Sequence, residues 1–294
     1  MITDIEFCGN HKLKQTVDEF TKTDSFPQSL LICAEQGLGR NLFARLAARD
    51  YLADINGLSL RHVHPDCIEV RGSGNSGAIP VDAIRAVTYE VNKASVMTDM
   101  KRVVIIEDAA NLNQSSSAAL LKTLEQPPNG VVFLITVSSP KDLLETIQSR
   151  CMLANIVAPS VQEATEYVTG VHGYEDKKAV LAYSKLFRGR IGYILTALES
   201  DDMKQQIAIA ADIAKAYYID DELMMCSALD RVQNRKDLSE ILELFVFCLA
   251  ENHKDDKTIR AINQTEKMKN MLSKNLSLKL FSTVFVKQLI GRQI

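Results

Sequence analysis

A glycine-bearing turn near the start of the sequence carries residue types that suit phosphate binding. Gly37 and Gly39 follow an apolar run, and Arg40 and Asn41 come directly after them at the start of a helical pattern. A working phosphate loop, G-x-x-x-x-G-K-[ST], uses its lysine on the β- and γ-phosphates and its hydroxyl on Mg²⁺. Here Ala34, an arginine and an asparagine stand at the first-glycine, lysine and hydroxyl positions. The turn is predicted to be a degenerate phosphate loop, although any glycine-rich turn between a strand and a helix has a similar sequence.

An acidic pair follows the apolar run at 103–106, where Glu107 and Asp108 are adjacent. In phosphate-loop ATPases, an aspartate at this place holds the Mg²⁺ shell and a following glutamate polarises water. The order is inverted here, so Glu107 would overreach the metal and Asp108 would be one methylene short of the water. A carboxylate pair at a strand end can also serve only helix capping or loop solvation. Together with the altered loop, the inversion predicts a site that does not hydrolyse nucleotide.

Short apolar runs alternating with helical patterns must position these residues. The runs predict strands at 29–33, 66–70, 102–106 and 131–137, and the patterns between and after them predict helices at 42–51, 81–94, 115–124 and 143–150. This alternation is typical of a parallel α/β sheet covered by helices on both faces. After about Pro159 only helical patterns remain, at 164–168, 179–187, 191–198, 203–218, 223–232, 237–250 and, as one long helix, about 267–289.

Length and composition exclude several classes of protein. A chain of 294 residues exceeds what one hydrophobic core usually supports, so two or three domains are expected. A net charge of -3 argues against a protein whose main role is to neutralise nucleic-acid phosphates. The six cysteines are scattered, without a C-x-x-C pair, and are read as reduced thiols. No signal peptide and no membrane-spanning apolar run is visible, so a soluble cytoplasmic protein is expected.

Six segments, in one order, resemble a known family. They occupy 26–32, 64–67, 79–85, 101–106, 119–128 and 146–151, within a match that runs from about residue 7 to 155. The Leu-Leu-Lys-Thr-Leu-Glu-Gln-Pro-Pro run at 120–128 and the Ser149-Arg150-Cys151 triplet are the most specific of them when found together. The chain resembles the delta-prime family of bacterial DNA polymerase III clamp-loader subunits, which are members of the AAA+ superfamily.

The resemblance implies a three-part chain and a role in an assembly. It implies an α/β AAA+ domain at 1–157, a small helical lid at 158–200 and a helical collar at 201–294 that joins a ring of five subunits. It further implies a catalytically silent stator without a cofactor of its own, with ATP bound by partner subunits. The implied partners are the gamma/tau ATPase subunits and the delta subunit and, through the assembled complex, the sliding clamp and primer–template DNA. No membrane partner is expected.

Two arginine positions of the family can be carried over to this sequence. Active relatives have an arginine in the lid that senses the γ-phosphate, but Gly192 stands at that position here and Arg190 is displaced from it by two residues. The arginine of the Ser-Arg-Cys triplet reaches the ATP site of a neighbouring subunit, which implies that Arg150 acts as an arginine finger in trans. From the residues alone, Arg150 could instead cap a helix C-terminus and pair with a carboxylate such as Glu145.

The sequence departs from the family where a four-cysteine zinc module usually lies. The interval 52–64 contains no cysteine, and His62, His64 and Cys67 are the nearest candidate ligands. Three residues at this spacing, with no fourth, make a poor structural zinc site. No metal site is predicted, and His64 is interpreted as part of the entry into a strand.

The last thirty residues are basic. Between 265 and 294 the only acidic residue is Glu266, and the basic residues are Lys267, Lys269, Lys274, Lys279, Lys287 and Arg292. The solvated outer face of an amphipathic helix is the favoured interpretation. Contact with the phosphates of a primer–template junction is the alternative.

Three functions are compatible with these observations. The first is a clamp-loader subunit without ATPase activity that donates Arg150. The second is a weakly active AAA+ ATPase in which Arg40 replaces the lysine, and the third is an AAA+-like adaptor outside replication.

Overall fold

The computed structural model describes residues 1–52, 64–73, 77–92, 101–252, 255–269, 271–272 and 277–290. The chain divides into two compact units. The first comprises Met1–Gly173 and Gly189–Gly192, and the second comprises Tyr174–Arg188 and Tyr193–Ile294. The three-part division at 157 and 200 stays a prediction.

A five-stranded parallel sheet forms the centre of the first unit. Its strands, in chain order, are β1 (Ser29–Cys33), β2 (Cys67–Val70), β3 (Arg102–Ile106), β4 (Val131–Val137) and β5 (Met152–Asn155). Their order across the sheet is β2-β3-β4-β1-β5, and every adjacent pair is parallel. The predicted α/β class is therefore confirmed, with β1, β3 and β4 at the predicted residues.

Helices cover both faces of this sheet. They are α1 (His11–Lys22), α2 (Arg40–Tyr51), α3 (Val81–Val91), α4 (Gln114–Glu125), α5 (Glu145–Gln148) and α6 (Val161–Gly170). Alternate residues of β3 point to opposite faces, as the two-residue period of a strand requires. Val103 and Ile105 pack in a cluster with Phe43 of α2. Val104 and Ile106 pack in a second cluster with Leu120 of α4.

The second unit is entirely helical where it is described. It contains α7 (Lys177–Leu186), the residues of α8 (Ile191–Glu199) from Tyr193 onward, α9 (Asp201–Tyr218), α10 (Glu222–Leu229), α11 (Arg235–Asn252), α12 (Asp256–Lys269) and α13 (Leu278–Ile290). Aromatic rings join these helices: Phe187 stacks on Tyr193 at 5.3 Å and meets Phe247 edge-on at 5.4 Å between ring centroids. Among the described helices of both units, none is long and apolar enough to cross a membrane.

Three elements differ from the sequence-based prediction. The helix α1 and the edge strand β5 were not predicted. The single helix expected at about 267–289 is wrong, because α12 ends at Lys269 and α13 begins only at Leu278. Met271 and Leu272 lie in a turn and donate their backbone N–H groups to the carbonyls three residues earlier.

The basic residues of this region are distributed over both of those helices. Lys267 and Lys269 lie in α12, and Lys279 and Lys287 lie in α13, whereas Lys274 and Arg292 are outside the described residues. The ammonium of Lys269 lies 3.6 Å from a carboxylate oxygen of Glu243 and 4.0 Å from one of Glu266. The positive charge of Lys269 is therefore balanced within the chain.

Candidate functional site

The turn between β1 and α2 depends on two glycines in the left-handed conformation. The φ angle is +83° at Gly37 and +80° at Gly39, a region that residues with a Cβ atom seldom adopt. A Cβ atom at Gly39 would also lie 3.1 Å from Cε2 of the Phe7 ring. The helix α2 then begins at Arg40, so Arg40 and Asn41 stand in its first turn, as predicted.

The Arg40 side chain bonds to its own chain across this turn. Its Nε and Nη2 donate to Oδ1 of Asp108 at 2.9 and 2.5 Å, and its Nη1 donates to the carbonyl oxygen of Ala34 at 3.1 Å. The arginine side chain is only 15% exposed. A lysine in a working phosphate loop offers its charge to phosphate oxygens. Here all three nitrogens of the guanidinium already donate to acceptors within the chain.

The Asn41 side chain is engaged as well. Its Oδ1 accepts a hydrogen bond from the hydroxyl of Thr136 at 2.7 Å. The Thr136 hydroxyl oxygen in turn accepts the backbone N–H of Asp108 at 3.0 Å. Thr136 is fully buried in β4. The place of the metal-binding hydroxyl is thus taken by an amide oxygen that is used in a buried hydrogen bond.

The two carboxylates of the acidic pair contact different arginines of α2. Whereas Asp108 binds Arg40, the buried Glu107 accepts a hydrogen bond from Nη2 of Arg45. Arg45 also donates from Nε to Glu69 at 3.0 Å. Burial alone would raise the pKa of Glu69, but the hydrogen bond and charge of Arg45, and then those of Arg71, lower it overall. Glu107 and Asp108 are therefore both engaged in ion pairs with arginines of the same chain.

Residues 190–192 close over the glycine turn within the first unit. The Gly192 N–H donates to the carbonyl oxygen of Gly37 at 2.9 Å, and Arg190 forms an ion pair with Glu35. A Cβ atom at Gly192 would lie 3.1 Å from that oxygen and 3.2 Å from the Gly37 Cα. A side chain at position 192 would therefore crowd the Gly37 backbone, which glycine avoids.

Arg150 lies on the turn between α5 and β5 and contacts three acceptors. Its Nη2 donates to Oε1 of Glu125 at 2.8 Å. Its Nη1 donates to the carbonyl oxygen of Thr146 at 2.8 Å and approaches the hydroxyl of Ser149 at 3.4 Å. The side chain remains 35% exposed. A carboxylate partner was expected for Arg150 from the residues alone, but it is Glu125 at the end of α4 rather than Glu145.

The residues beside Arg150 are arranged as structural parts of the same turn. The Ser149 hydroxyl donates to the carbonyl oxygen of Thr146 at 3.1 Å. The Cys151 side chain packs against the buried cluster on one face of the sheet. Burial, and then the charge of Cys33, raises the pKa of Cys151 to about 11, so its sulfur is a thiol at neutral pH. Neither side chain is placed as a nucleophile.

Arg150 and the glycine turn lie at opposite ends of the parallel strands. The turn follows the last residue of β1, Cys33, whereas Arg150 precedes the first residue of β5, Met152. Met152 is in register with Leu30 and Asn155 with Cys33. The end of β1 is therefore three residues, or about 10 Å, beyond the level at which β5 begins. Arg150 is thus placed away from the chain's own glycine turn.

The residues considered as zinc ligands make other contacts where they are described. Nδ1 of His64 accepts the backbone N–H of Asp66 at 3.1 Å in the turn before β2. Burial, and then the charge of Glu69, raises the pKa of Cys67 to about 12, although zinc binds the thiolate form. His62 is outside the described residues. Within the described ranges, no three His, Cys, Asp or Glu side chains are grouped as metal ligands.

Sequence reasoning missed three residues that shape these sites: Thr136, Arg45 and Glu125. A threonine within the otherwise apolar run of β4 was a usable signal for a buried hydrogen bond. The partners of Arg45 and Arg150 are 24, 62 and 25 residues away in sequence, so no local spacing indicated them.

Comparisons with known proteins identify the family to which this chain belongs. A family model described as DNA polymerase III, delta subunit, matches residues 9–160, more than half of the chain. The delta-prime subunit of Escherichia coli (strain K12) is 29% identical over 190 residues, which are 65% of this chain and 56% of that protein. The delta-prime subunit of Haemophilus influenzae is 29% identical over 201 residues, 65% of this chain and 58% of that protein. The chain thus matches little more than half the length of these curated relatives.

A solved structure supports the fold over nearly the whole chain. The DNA polymerase III gamma subunit-related protein of Thermotoga maritima superposes with a TM-score of 0.59 at 17% identity, covering 95% of this chain and 98% of that one. The predicted fold class, an α/β domain with a parallel sheet followed by helical regions, is confirmed. The tau subunits of DNA polymerase III are also among the relatives in sequence. The chain therefore belongs to the DNA polymerase III delta-prime family of clamp-loader subunits.

Proposed function

We propose that this chain is an assembly subunit of a DNA polymerase III clamp loader whose own nucleotide site is inactive. In this proposal it works in the cytoplasm with gamma/tau ATPase subunits and a delta subunit. Through them it contributes to loading a sliding clamp on primed DNA. The chain binds no cofactor, and the ATP that drives loading is held by its partners.

The observation that carries the proposal is the bonding of Arg40. Nucleotide hydrolysis in this turn needs a cation directed at the β- and γ-phosphates, a metal ligand and a carboxylate that polarises the attacking water. The cation is Arg40 and the carboxylate is Asp108, and they are bonded to each other at 2.9 and 2.5 Å. Binding Mg·ATP would require this pair to separate while Asn41 gives up its bond from Thr136. The cost of both changes supports an inactive site.

The position of Arg150 supports a role in trans. Its guanidinium is partly exposed and is held on a turn at the end of the sheet opposite the chain's own glycine turn. An arginine supplied to a transferring phosphoryl group stabilises the developing charge and raises the rate by about three to five orders of magnitude in the best-studied cases. We infer that Arg150 supplies this charge to the ATP site of the neighbouring ATPase subunit.

Reconstitution tests the proposal. The chain is mixed with gamma/tau and delta subunits, and the clamp- and DNA-stimulated ATPase is measured for wild type and for Arg150→Ala. The expected result is normal co-elution with the partners and at least a several-fold loss of stimulated ATPase. Arg85→Ala, which removes an exposed arginine that pairs with Asp82 within α3, is the matched control. Full activity of Arg150→Ala would contradict the finger, and failure to co-elute with any partner would favour an adaptor outside replication.

A further inference from the structure

The contact between Glu125 and Arg150 joins the ends of two helices. Glu125 is the last residue of α4, and Arg150 follows α5 with its backbone N–H donating to the carbonyl oxygen of Ile147. The Nη2–Oε1 distance is 2.8 Å, and the side chains are 35% exposed for the arginine and 47% exposed for the glutamate. The pair therefore links Arg150 to an element other than its own turn.

The location of Glu125 is unfavourable for α4 itself. The C-terminal end of a helix carries a partial negative charge, which favours cations and disfavours carboxylates in the last turn. Pro127 and Pro128 follow soon after the end of α4, so the helix cannot extend to relieve this. A glutamate here is therefore compensated by the cation that it binds rather than by its own helix.

The hydrogen bonds of Arg150 restrict its guanidinium while leaving donors available. A guanidinium has five N–H donors. The acceptors on Thr146, Ser149 and Glu125 use at most three of them among the described residues. Two N–H groups remain for a phosphate, which suits the bidentate geometry that arginine uses on phosphate oxygens.

We propose that Glu125 is a positioning residue for Arg150, holding the guanidinium in the orientation in which it enters the neighbouring ATP site. This inference rests on the proposed function of Arg150. A long side chain that is ordered before assembly loses less conformational freedom when it meets the phosphate. Because exposed ion pairs are weak, the effect of Glu125 on the rate is about two- to five-fold, far smaller than that of the arginine itself.

The test uses the reconstituted complex and five variants of this chain, one of which is Arg150→Ala. Glu125→Ala is expected to lower the kcat of the clamp- and DNA-stimulated ATPase about three-fold, with the KM for ATP unchanged. Glu125→Gln keeps an acceptor oxygen in the same place and is expected to retain most of the rate. Glu145→Ala removes a nearby exposed carboxylate and is the control, expected to match wild type. In the Arg150→Ala background, Glu125→Ala is expected to have no further effect, because it acts only through the arginine.

The outcomes separate this inference from the proposed function. If Arg150→Ala is impaired while Glu125→Ala matches wild type, only the positioning role is overturned. A rate increase in Glu125→Ala would also overturn it, since the glutamate would then restrain the arginine from reaching the phosphate. An equal loss in the presence and absence of Arg150 would reveal a general structural defect and contradict the proposal. Full activity of Arg150→Ala would overturn both assignments.

Discussion

Arg40 and Asp108 are bonded to each other at the place where a phosphate-loop ATPase directs a cation towards the phosphates and a carboxylate towards the attacking water. Arg40 Nε and Nη2 lie 2.9 and 2.5 Å from one carboxylate oxygen. The arginine retains the charge of the usual lysine, but its longer planar fork reaches an acceptor within the chain. Because the acidic pair is inverted, the shorter carboxylate is the one that meets it. Arg40 and Asp108 depart from the usual phosphate-loop residues at separate places in the sequence. In the structure they form one ion pair.

The Asp108 backbone makes a prediction about stability. Its φ angle is +51°, in the left-handed region that aspartate and asparagine tolerate better than other residues with a Cβ atom. Asp108→Ala should lower the free energy of unfolding by about 1–2 kcal/mol, through backbone strain and loss of the ion pair. Asp108→Asn keeps both an acceptor oxygen and the backbone tolerance, so its loss should be smaller. Urea unfolding of both variants measures the difference, and equal losses would contradict the strain argument.

The close approach at Gly192 makes a second prediction. Gly192→Ala should lower the free energy of unfolding by about 1–3 kcal/mol, because the new Cβ atom would lie 3.1 Å from the Gly37 carbonyl oxygen. Gly170→Ala is the matched control, since a Cβ atom there meets nothing within 4 Å. That control should be neutral or slightly stabilising, as alanine is preferred to glycine in a helix. Thermal or urea unfolding measures the stability of both variants relative to wild type. If Gly192→Ala were as stable as wild type, the turn and residues 190–192 would not pack as described.

The Glu69 carboxylate makes a prediction about pH. Its folded-state pKa lies below its ordinary value of 4.5 because the bonds and charges of Arg45 and Arg71 outweigh burial. A lowered folded pKa adds stability that is present above the unfolded pKa and is lost as the pH falls through the folded pKa. The free energy of unfolding at pH 7 should therefore be larger for wild type than for Glu69→Gln. This difference between the two proteins should become smaller below about pH 4. Denaturant unfolding at both pH values measures the difference; a difference independent of pH would contradict the ion pairing of Glu69.

The sequence predicted four of the five strands and missed the edge strand β5. In β3 and β4 every residue is buried, so continuous apolar runs of β-branched residues marked them clearly. The edge strand β5 has only four residues, of which Ala154 alone is buried, and its apolar run of three residues, 152–154, is too short to mark a strand clearly. Helix α1 contains only three apolar residues, Leu13, Val17 and Phe20, and is otherwise polar. These elements are defined by neighbours that are distant in the chain.

In the candidate site, too, the sequence indicated the residues but not their contacts. The types and order of Arg40, Asn41 and Asp108 were enough to predict an altered nucleotide site. Which atoms they bond to was not predictable, since Arg40 meets Asp108 across 68 residues and Asn41 meets Thr136 across 95. For Arg150, local spacing favoured Glu145, but the fold brings Glu125 to it. Contacts between elements depend on the packing of the sheet and helices, which the residue pattern of one segment does not specify.

The central claim, that the chain's own nucleotide site is inactive, is tested most directly by titrating the isolated wild-type protein with ATP and Mg²⁺ in a calorimeter while assaying turnover. We expect no saturable heat up to about 1 mM ATP and no phosphate release. Any binding free energy would then be weaker than about -4 kcal/mol. Saturable binding below that concentration together with turnover would contradict it, and would show instead an ATPase working with Arg40 in place of lysine.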